Sequence, residues 1–118
     1  MKRFSTAIIL AVGLATSAHA ATLATPVLAT DPQYIACTAA NPSSTKTVVV
    51  RSITIETASG PDVLATNVSL PPGAFVADPS VDKSGFCKFD VKGSKTSVRA
   101  AGCAQVSGTA IAGCISAQ

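Results

Sequence analysis

Four cysteines, Cys37, Cys87, Cys103 and Cys114, place the strongest constraint on how this chain of 118 residues folds. An even number of cysteines in a short exported chain is typical of a disulfide framework, here of two bonds. Four cysteines allow three pairings, so the choice depends on which strands bring the sulfur atoms together. Three of the four cysteines lie in residues 86–115, so the strand pairing in this stretch decides which cysteines can bond.

The first residues of the chain predict export. Two basic residues are followed by an apolar run over residues 7–15 and by an Ala-x-Ala sequence formed by Ala18 and Ala20. This order is that of a secretory signal peptide over residues 1–20, with cleavage after Ala20 and a secreted or periplasmic product. The apolar run is too short to span a bilayer, and we expect no membrane span after signal removal.

The charge and residue types that remain exclude several functions. Two of the nine basic residues leave with the signal, so seven face six acidic residues, a balance that argues against nucleic acid as a partner. The only histidine, His19, leaves too, which removes histidine-based catalytic sites and most metal sites. The cysteines form no C-x-x-C pair. We therefore expect no enzyme activity, no cofactor and no metal.

Two further patterns carry little weight. Ser43 to Lys46 and Ser80 to Lys83 match the Ser-x-x-Lys spacing of penicillin-binding enzymes, but neither stands on a predicted helix, where that spacing aligns the two side chains. Asp78 and Asp82 lie in one predicted polar loop, Asp78 to Gly85, and are interpreted as solvated charges rather than calcium ligands.

The strand and turn signals predict an all-β fold. About seven short strands, with turn signals every 8–12 residues, favour a small antiparallel β-sandwich of immunoglobulin-like or fibronectin-III-like architecture. A small β-barrel is the alternative. The domain is predicted over residues 33–118, preceded by a leader over residues 21–32 that either stays mobile or docks as an edge segment.

Two local features sharpen this prediction. Lys46 to Thr57 is dense in β-branched residues, but its apolar positions change parity, which indicates either a bulge near Arg51 and Ser52 or a strand that is buried on both sides. Pro71-Pro72-Gly73 predicts a type II turn with Gly73 at the third position.

The C-terminal stretch predicts three strands joined by two tight turns. Lys92-Gly93-Ser94-Lys95 and Ser107-Gly108-Thr109-Ala110 both place Gly-X at the centre, which suits a two-residue type II′ hairpin. Opposed residues share a face of the sheet. The predicted apolar face collects Cys87, Phe89, Val91, Val98, Ala100, Ala104, Val106, Ile111 and Ile115. The other face carries Lys88, Asp90, Arg99, Gln105, Cys103 and Cys114.

These registers select the disulfides and one candidate binding face. Cys103 falls opposite Cys114, at a Cα distance of about 4.5–5.5 Å that a disulfide can bridge, which leaves Cys37 to pair with Cys87. The first register also places Lys88 opposite Arg99, with Asp90 two residues away. Since opposed like charges destabilise a sheet, Lys88, Asp90 and Arg99 form a candidate face for an anion or an acidic partner.

The sequence thus predicts a non-enzymatic secreted or periplasmic β-sandwich that acts by binding or as a structural module, with a protein partner in the cell envelope or outside the cell. The alternative is a small inhibitor or accessory subunit of an envelope enzyme or complex. It would use the Asp78 to Gly85 loop or the face around Arg99.

Overall fold

The computed structural model of the protein describes residues 20–28, 33–81, 84–106 and 111–118. The predicted signal peptide before Ala20, the turn at 107–110, and Asp82 with Lys83 lie outside these residues. The described strands are β1 (Ala20–Ala24), β2 (Gln33–Ala40), β3 (Val48–Thr57), β4 (Gly60–Leu70), β5 (Phe75–Val81), β6 (Gly85–Lys92), β7 (Arg99–Val106) and β8 (Ile111–Ser116).

The strands form two four-stranded antiparallel sheets, which confirms the predicted all-β sandwich. The first sheet has the order β1-β6-β3-β4 and the second has the order β5-β2-β7-β8. The sheets do not close into the alternative barrel. The strand that the sequence does not predict is β1, which is formed by the last residue of the predicted signal peptide and the first four of the predicted leader. It pairs along the edge of β6 from Ala20 to Ala24.

A disulfide joins the centres of the two sheets. Cys37 of β2 bonds to Cys87 of β6, and both residues are fully buried. This inter-sheet disulfide has apolar neighbours from both sheets, since Ile35, Val50 and Phe89 are also fully buried. A bond between the inner strands therefore fixes the sandwich at its middle, where small aliphatic side chains alone would supply only modest stability.

The bulge in β3 explains its two-sided apolar pattern. The pairing of β3 with β6 shifts register between Val50 and Ser52, which leaves Arg51 as the extra residue. Val50 and Ile53 are both fully buried although they differ in parity, because the extra residue reverses the faces. Of the two explanations that the sequence leaves open for this strand, the structure shows the bulge.

The link from β4 to β5 is the predicted type II turn. The N–H of Ala74 donates to the Pro71 carbonyl oxygen at 3.0 Å, and Gly73 has φ of 77°. Only glycine adopts this conformation without steric cost at the third position. β5 then continues to Val81, so the first four of the eight residues of the predicted polar loop are strand, and Asp78 lies opposite Cys37 of β2.

The first predicted C-terminal hairpin is wrong. β6 pairs with β1 and β3, while β7 pairs with β2 and β8, so β6 and β7 belong to different sheets. Both edges of β6 are occupied, which leaves no edge for β7. Gly93 does adopt the positive φ expected of a turn glycine, 118°, but the chain then crosses to the second sheet through a short 3₁₀ turn, Lys95–Ser97.

The second predicted hairpin has the predicted register at its cysteines but a different register near its turn. Cys103 pairs with Cys114, and the two are joined by a disulfide, so both disulfides are those that the sequence predicts. A register shift between Ala104 and Gln105 places Ile111 opposite Gln105 instead of Val106. The predicted apolar face holds for Cys87, Phe89, Val91, Val98 and Ala100, which are buried. It fails at Ile115, which is 42% exposed. Cys103 lies on the other face, as predicted, but is buried there.

Candidate anion-binding site

The predicted binding face does not assemble. Lys88 lies between Ala24 and Thr54 in the first sheet, whereas Arg99 lies opposite Ala40 in the second. The like-charge opposition that suggested the face is therefore absent, because it depended on the wrong hairpin. Lys88 and Asp90 remain on the outer surface of one sheet, and Arg99 belongs to another part of the molecule.

Asp90 has a structural role in the sheet. One carboxylate oxygen accepts a hydrogen bond from the Thr22 hydroxyl and the other accepts one from the Ser52 hydroxyl, each at 3.0 Å. Thr22 is in β1 and Ser52 is in β3, the two neighbours of β6. Asp90 thus links three strands across the outer surface of the first sheet.

A different group of cations collects at one end of the sandwich. Lys46 and Lys92 line a cavity of about 430 Å³, and Lys95 and Arg99 line a cavity of about 600 Å³. Thr96 lines both cavities, so they are adjacent. We call these four side chains and two cavities the basic end. All four cations are exposed.

The fold brings the four cations together from four separate segments. Lys46 precedes β3, Lys92 ends β6, Lys95 is in the 3₁₀ turn, and Arg99 begins β7. Lys92 pairs with Val49 near the start of β3, which places it beside the segment that carries Lys46. The crossing from β6 to β7 supplies the other two cations at the same end of both sheets.

Asn41 fixes the segment that carries Lys46. Its side-chain amide donates to the carbonyl oxygens of Lys46 and Leu70, at 2.7 and 2.8 Å, and its side-chain oxygen accepts from the Ser43 N–H at 2.9 Å. Its own N–H and carbonyl pair with Ala74 and Gly73. Asn41 is 2% exposed, and every polar atom of its side chain is satisfied.

Hydroxyl groups surround the cations. The Ser43 hydroxyl accepts from the N–H groups of Thr45 and Lys46, which leaves its own proton available to a ligand. The Ser94 and Thr96 hydroxyls bond to each other at 3.0 Å, and the Ser97 hydroxyl donates to the Ser94 carbonyl. The described hydroxyl residues lining the two cavities are Thr38, Ser43, Thr47, Ser94, Thr96, Ser97 and Ser116.

Two acidic residues of the first sheet, Glu56 and Asp62, lie far from the basic end. Glu56 and Asp62 stand at the hairpin between β3 and β4, at the opposite end of the sheet from Val48. At about 3.4 Å per residue, the strand between Val48 and Glu56 separates the two ends by roughly 27 Å. Among the described residues that line the two cavities, none has a carboxylate side chain. The described charged side chains that line the two cavities are therefore all positive.

The apolar wall of the larger cavity comes from both sheets. Leu23 of β1 and Val98 are buried there, and Gln118 continues beyond β8 to pair with Ala24 through two reciprocal main-chain hydrogen bonds of 3.0 and 3.1 Å. The base of the cavity is thus formed by buried and hydrogen-bonded residues, and its rim is polar and basic. This arrangement suits binding of an anion through charge and hydroxyl groups.

Sequence reasoning missed Asn41, Lys46, Lys92 and Lys95 as members of a site. Lys92 and Lys95 attracted attention only as flanks of a turn, and Asn41 only as a turn residue before proline. A clue was present in the clustering of lysines beside turn signals, but only the topology shows that the turns meet.

A comparison of the chain with protein families, curated proteins and solved structures finds no match. Among the described residues, no His, Cys, Asp and Glu side chains form a group of three or more able to hold a metal ion. No helix in the described part of the chain is long and apolar enough to cross a membrane.

Proposed function

We propose that this protein is an exported, non-enzymatic binding module that holds an anionic ligand at its basic end. The module acts in the periplasm or outside the cell after removal of residues 1–20. The ligand is bound by Lys46, Lys92, Lys95 and Arg99, and the surrounding hydroxyl groups orient it.

The disulfide framework supports the export part of the proposal. Both disulfides need an oxidising compartment to form and persist, and all four cysteines are used in them. Mass spectrometry of the exported protein is expected to find an N-terminus at Ala21. A chain that retains Met1, or that stays in the cytoplasm, would contradict this part.

One observation carries the binding part. Four of the seven basic residues that follow the predicted cleavage site line two adjacent cavities. Mutual repulsion of like charges costs stability, whereas the same cluster attracts and concentrates an anion. Because the cations come from four segments of the chain, their meeting is a product of the fold rather than of local composition.

Citrate, a small carboxylate anion, provides a direct test. In an amide NMR titration with citrate, the shifts are expected at residues 43–47 and 92–99. The variant Lys46→Gln/Lys92→Gln/Lys95→Gln/Arg99→Gln is expected to lose them. The double variant Arg51→Gln/Lys88→Gln removes cations outside the basic end and is expected to leave the shifts in place. Equal loss in the control, or shifts spread over the whole surface, would refute the assignment.

An accessory subunit is the second candidate, and the outer surface of the second sheet favours it. Alternation along β2 and β5 directs outward a neutral set of mostly small residues, Ala36, Thr38, Ala40, Phe75, Ala77 and Pro79. Two of them, Thr38 and Ala40, also line the larger cavity, so this surface adjoins the basic end. Phe75 is 74% exposed. A surface of this kind suits an apolar protein partner better than an anion.

Affinity capture from an envelope extract distinguishes the two candidates. Ala77→Lys places a charge in the middle of this surface, on an edge strand that tolerates lysine. Thr66→Lys makes the same change in the other sheet. A single stoichiometric partner lost only with Ala77→Lys would support the accessory role, and identical capture by both variants would exclude this surface.

A further inference from the structure

We infer that the ligand of the basic end is a linear acidic polysaccharide, which places one anionic group in each of the two cavities. The inference rests on the proposed function and specifies the ligand that the site takes. It follows from the division of the site, from the groups that line it, and from the exposure of its cations.

The division of the site points to a repeating ligand. Each cavity contains two cations, and the only residue common to both linings, as far as the chain is described, is Thr96. A single small anion neutralises the two cations of one cavity and leaves the two cations of the other cavity without a counter-ion. A chain with anionic groups at intervals occupies both cavities, and the second contact forms at the high effective concentration that the first one creates.

The lining groups point to a sugar. Hydroxyls are present in both cavities, including those of Ser43, Thr96 and Ser116. They can donate and accept hydrogen bonds, as the hydroxyls of a polysaccharide do. No aromatic side chain occurs among the described lining residues. Proteins that bind single-stranded nucleic acid stack the bases on aromatic rings, so this lining disfavours that class of polyanion.

The exposure of the cations sets the expected strength. All four side chains are in contact with solvent, so each anionic contact is weak and is screened by salt. Useful affinity must then come from several contacts made together. This regime gives reversible binding to a polymer with repeating charges and little affinity for its monomer.

A chain-length series tests the inference. Galacturonic acid monomer, polygalacturonate, neutral dextran and single-stranded DNA are each titrated into the mature protein by calorimetry at constant low salt. Polygalacturonate is expected to bind at least tenfold more tightly per uronate than the monomer, because the two cavities are occupied together. Neutral dextran is expected not to bind, and DNA is expected to bind more weakly than polygalacturonate.

Charge-removing variants measure how many cations of the basic end contact the polymer. Lys46→Gln/Lys92→Gln empties one cavity of charge and Lys95→Gln/Arg99→Gln empties the other, while Arg51→Gln/Lys88→Gln removes the same net charge elsewhere. With the value of about −0.7 per contact that single-stranded nucleic acid shows as a guide, the slope of log K against log salt is expected to be about −3 for the parent and about −1.4 for either cavity variant. The control variant keeps the parent slope. Thermal unfolding checks that all three variants remain folded.

The outcomes separate this inference from the proposed function. Equal affinity per uronate for monomer and polymer, or a full slope in one cavity variant, would overturn the two-cavity mode and leave anion binding intact. DNA binding as tight as polygalacturonate binding would overturn the sugar class. Failure of every anion, or equal binding of neutral dextran, would overturn the proposed function itself.

Discussion

Replacement of Asn41 tests whether one buried amide organises the basic end. Asn41→Ala removes three hydrogen bonds that connect the end of β2 to the Ser43–Lys46 segment and to the end of β4. The site is 2% exposed, so water cannot readily replace the lost partners. The bond to Leu70 is the most buried of the three, and its carbonyl would be left without its side-chain partner.

The magnitude follows from these bonds. A typical intramolecular hydrogen bond contributes about 1 kcal/mol net, and a buried group left unpaired costs about 1–3 kcal/mol. Asn41→Ala is therefore expected to lower the free energy of unfolding by about 3 kcal/mol. For a domain of this size such a loss lowers Tm by roughly 12–20 °C. Asn41→Asp keeps the shape but places a carboxylate against two carbonyl oxygens, so its cost at neutral pH is expected to be at least as large.

Equilibrium unfolding in guanidinium chloride, with both disulfides oxidised, measures the effect. Asn67→Asp is the matched control, because Asn67 is exposed and has φ of 51°, a conformation that asparagine and aspartate both tolerate. It is expected to change stability by less than about 0.5 kcal/mol. The two carbonyl oxygens raise the pKa of the introduced carboxyl in the folded state above its unfolded value, so the Asn41→Asp deficit is expected to narrow as pH falls toward about 4 and to stay constant below that. An Asn41→Ala cost below 0.5 kcal/mol, roughly the effect of an ordinary surface change, or equal costs for the two Asn→Asp variants, would refute the reasoning.

Three more predictions concern the packing, the disulfides and the strand contacts of the two sheets. A Cβ on Gly102 would lie 2.6 Å from the Leu28 side chain and 3.2 Å from the Cys87 sulfur, so Gly102→Ala is expected to cost about 1–3 kcal/mol in thermal unfolding; Gly113→Ala, with open space around it, should cost almost nothing. Cysteine-to-serine pairs are expected to cost about 4 kcal/mol for the inter-sheet disulfide and about 3 kcal/mol for the β7–β8 disulfide, because they close loops of 50 and 11 residues; the reverse order in denaturant unfolding would contradict this. Asp90→Ala is expected to cost about 1–2 kcal/mol and to speed amide exchange in β1, and unchanged exchange there would show that the carboxylate does not hold the edge strand.

Features set within one strand are those that the sequence predicts well. The buried positions Cys87, Phe89 and Val91 follow from simple alternation, which holds whichever strands β6 pairs with. The bulge at Arg51 follows from a change of parity along β3. The type II turn at Pro72 and Gly73 follows from local backbone preferences.

Features that depend on which strands pair with each other are harder to predict from the sequence. Gly93 has the backbone conformation of a turn in either arrangement, so turn chemistry does not decide whether the chain forms a hairpin or crosses to the other sheet. The decision rests with β1, which occupies the edge of β6 that a hairpin would need. The candidate face around Lys88 and Arg99 fails for the same reason, and the basic end emerges only when the crossing is known.

The position of β1 has a consequence for maturation. Its first residue, Ala20, pairs with Lys92, and Ala21 pairs with Val91, so the predicted cleavage site lies within the paired strand. If the chain is processed as proposed, the signal protease needs this segment unpaired, so cleavage would precede the addition of β1 to the edge of β6. The proposed cut would create an ammonium group on Ala21, about one strand spacing from the end of β6. Processing would thus supply a fifth positive charge beside Lys92, and the precursor and the mature protein would differ in their attraction for anions.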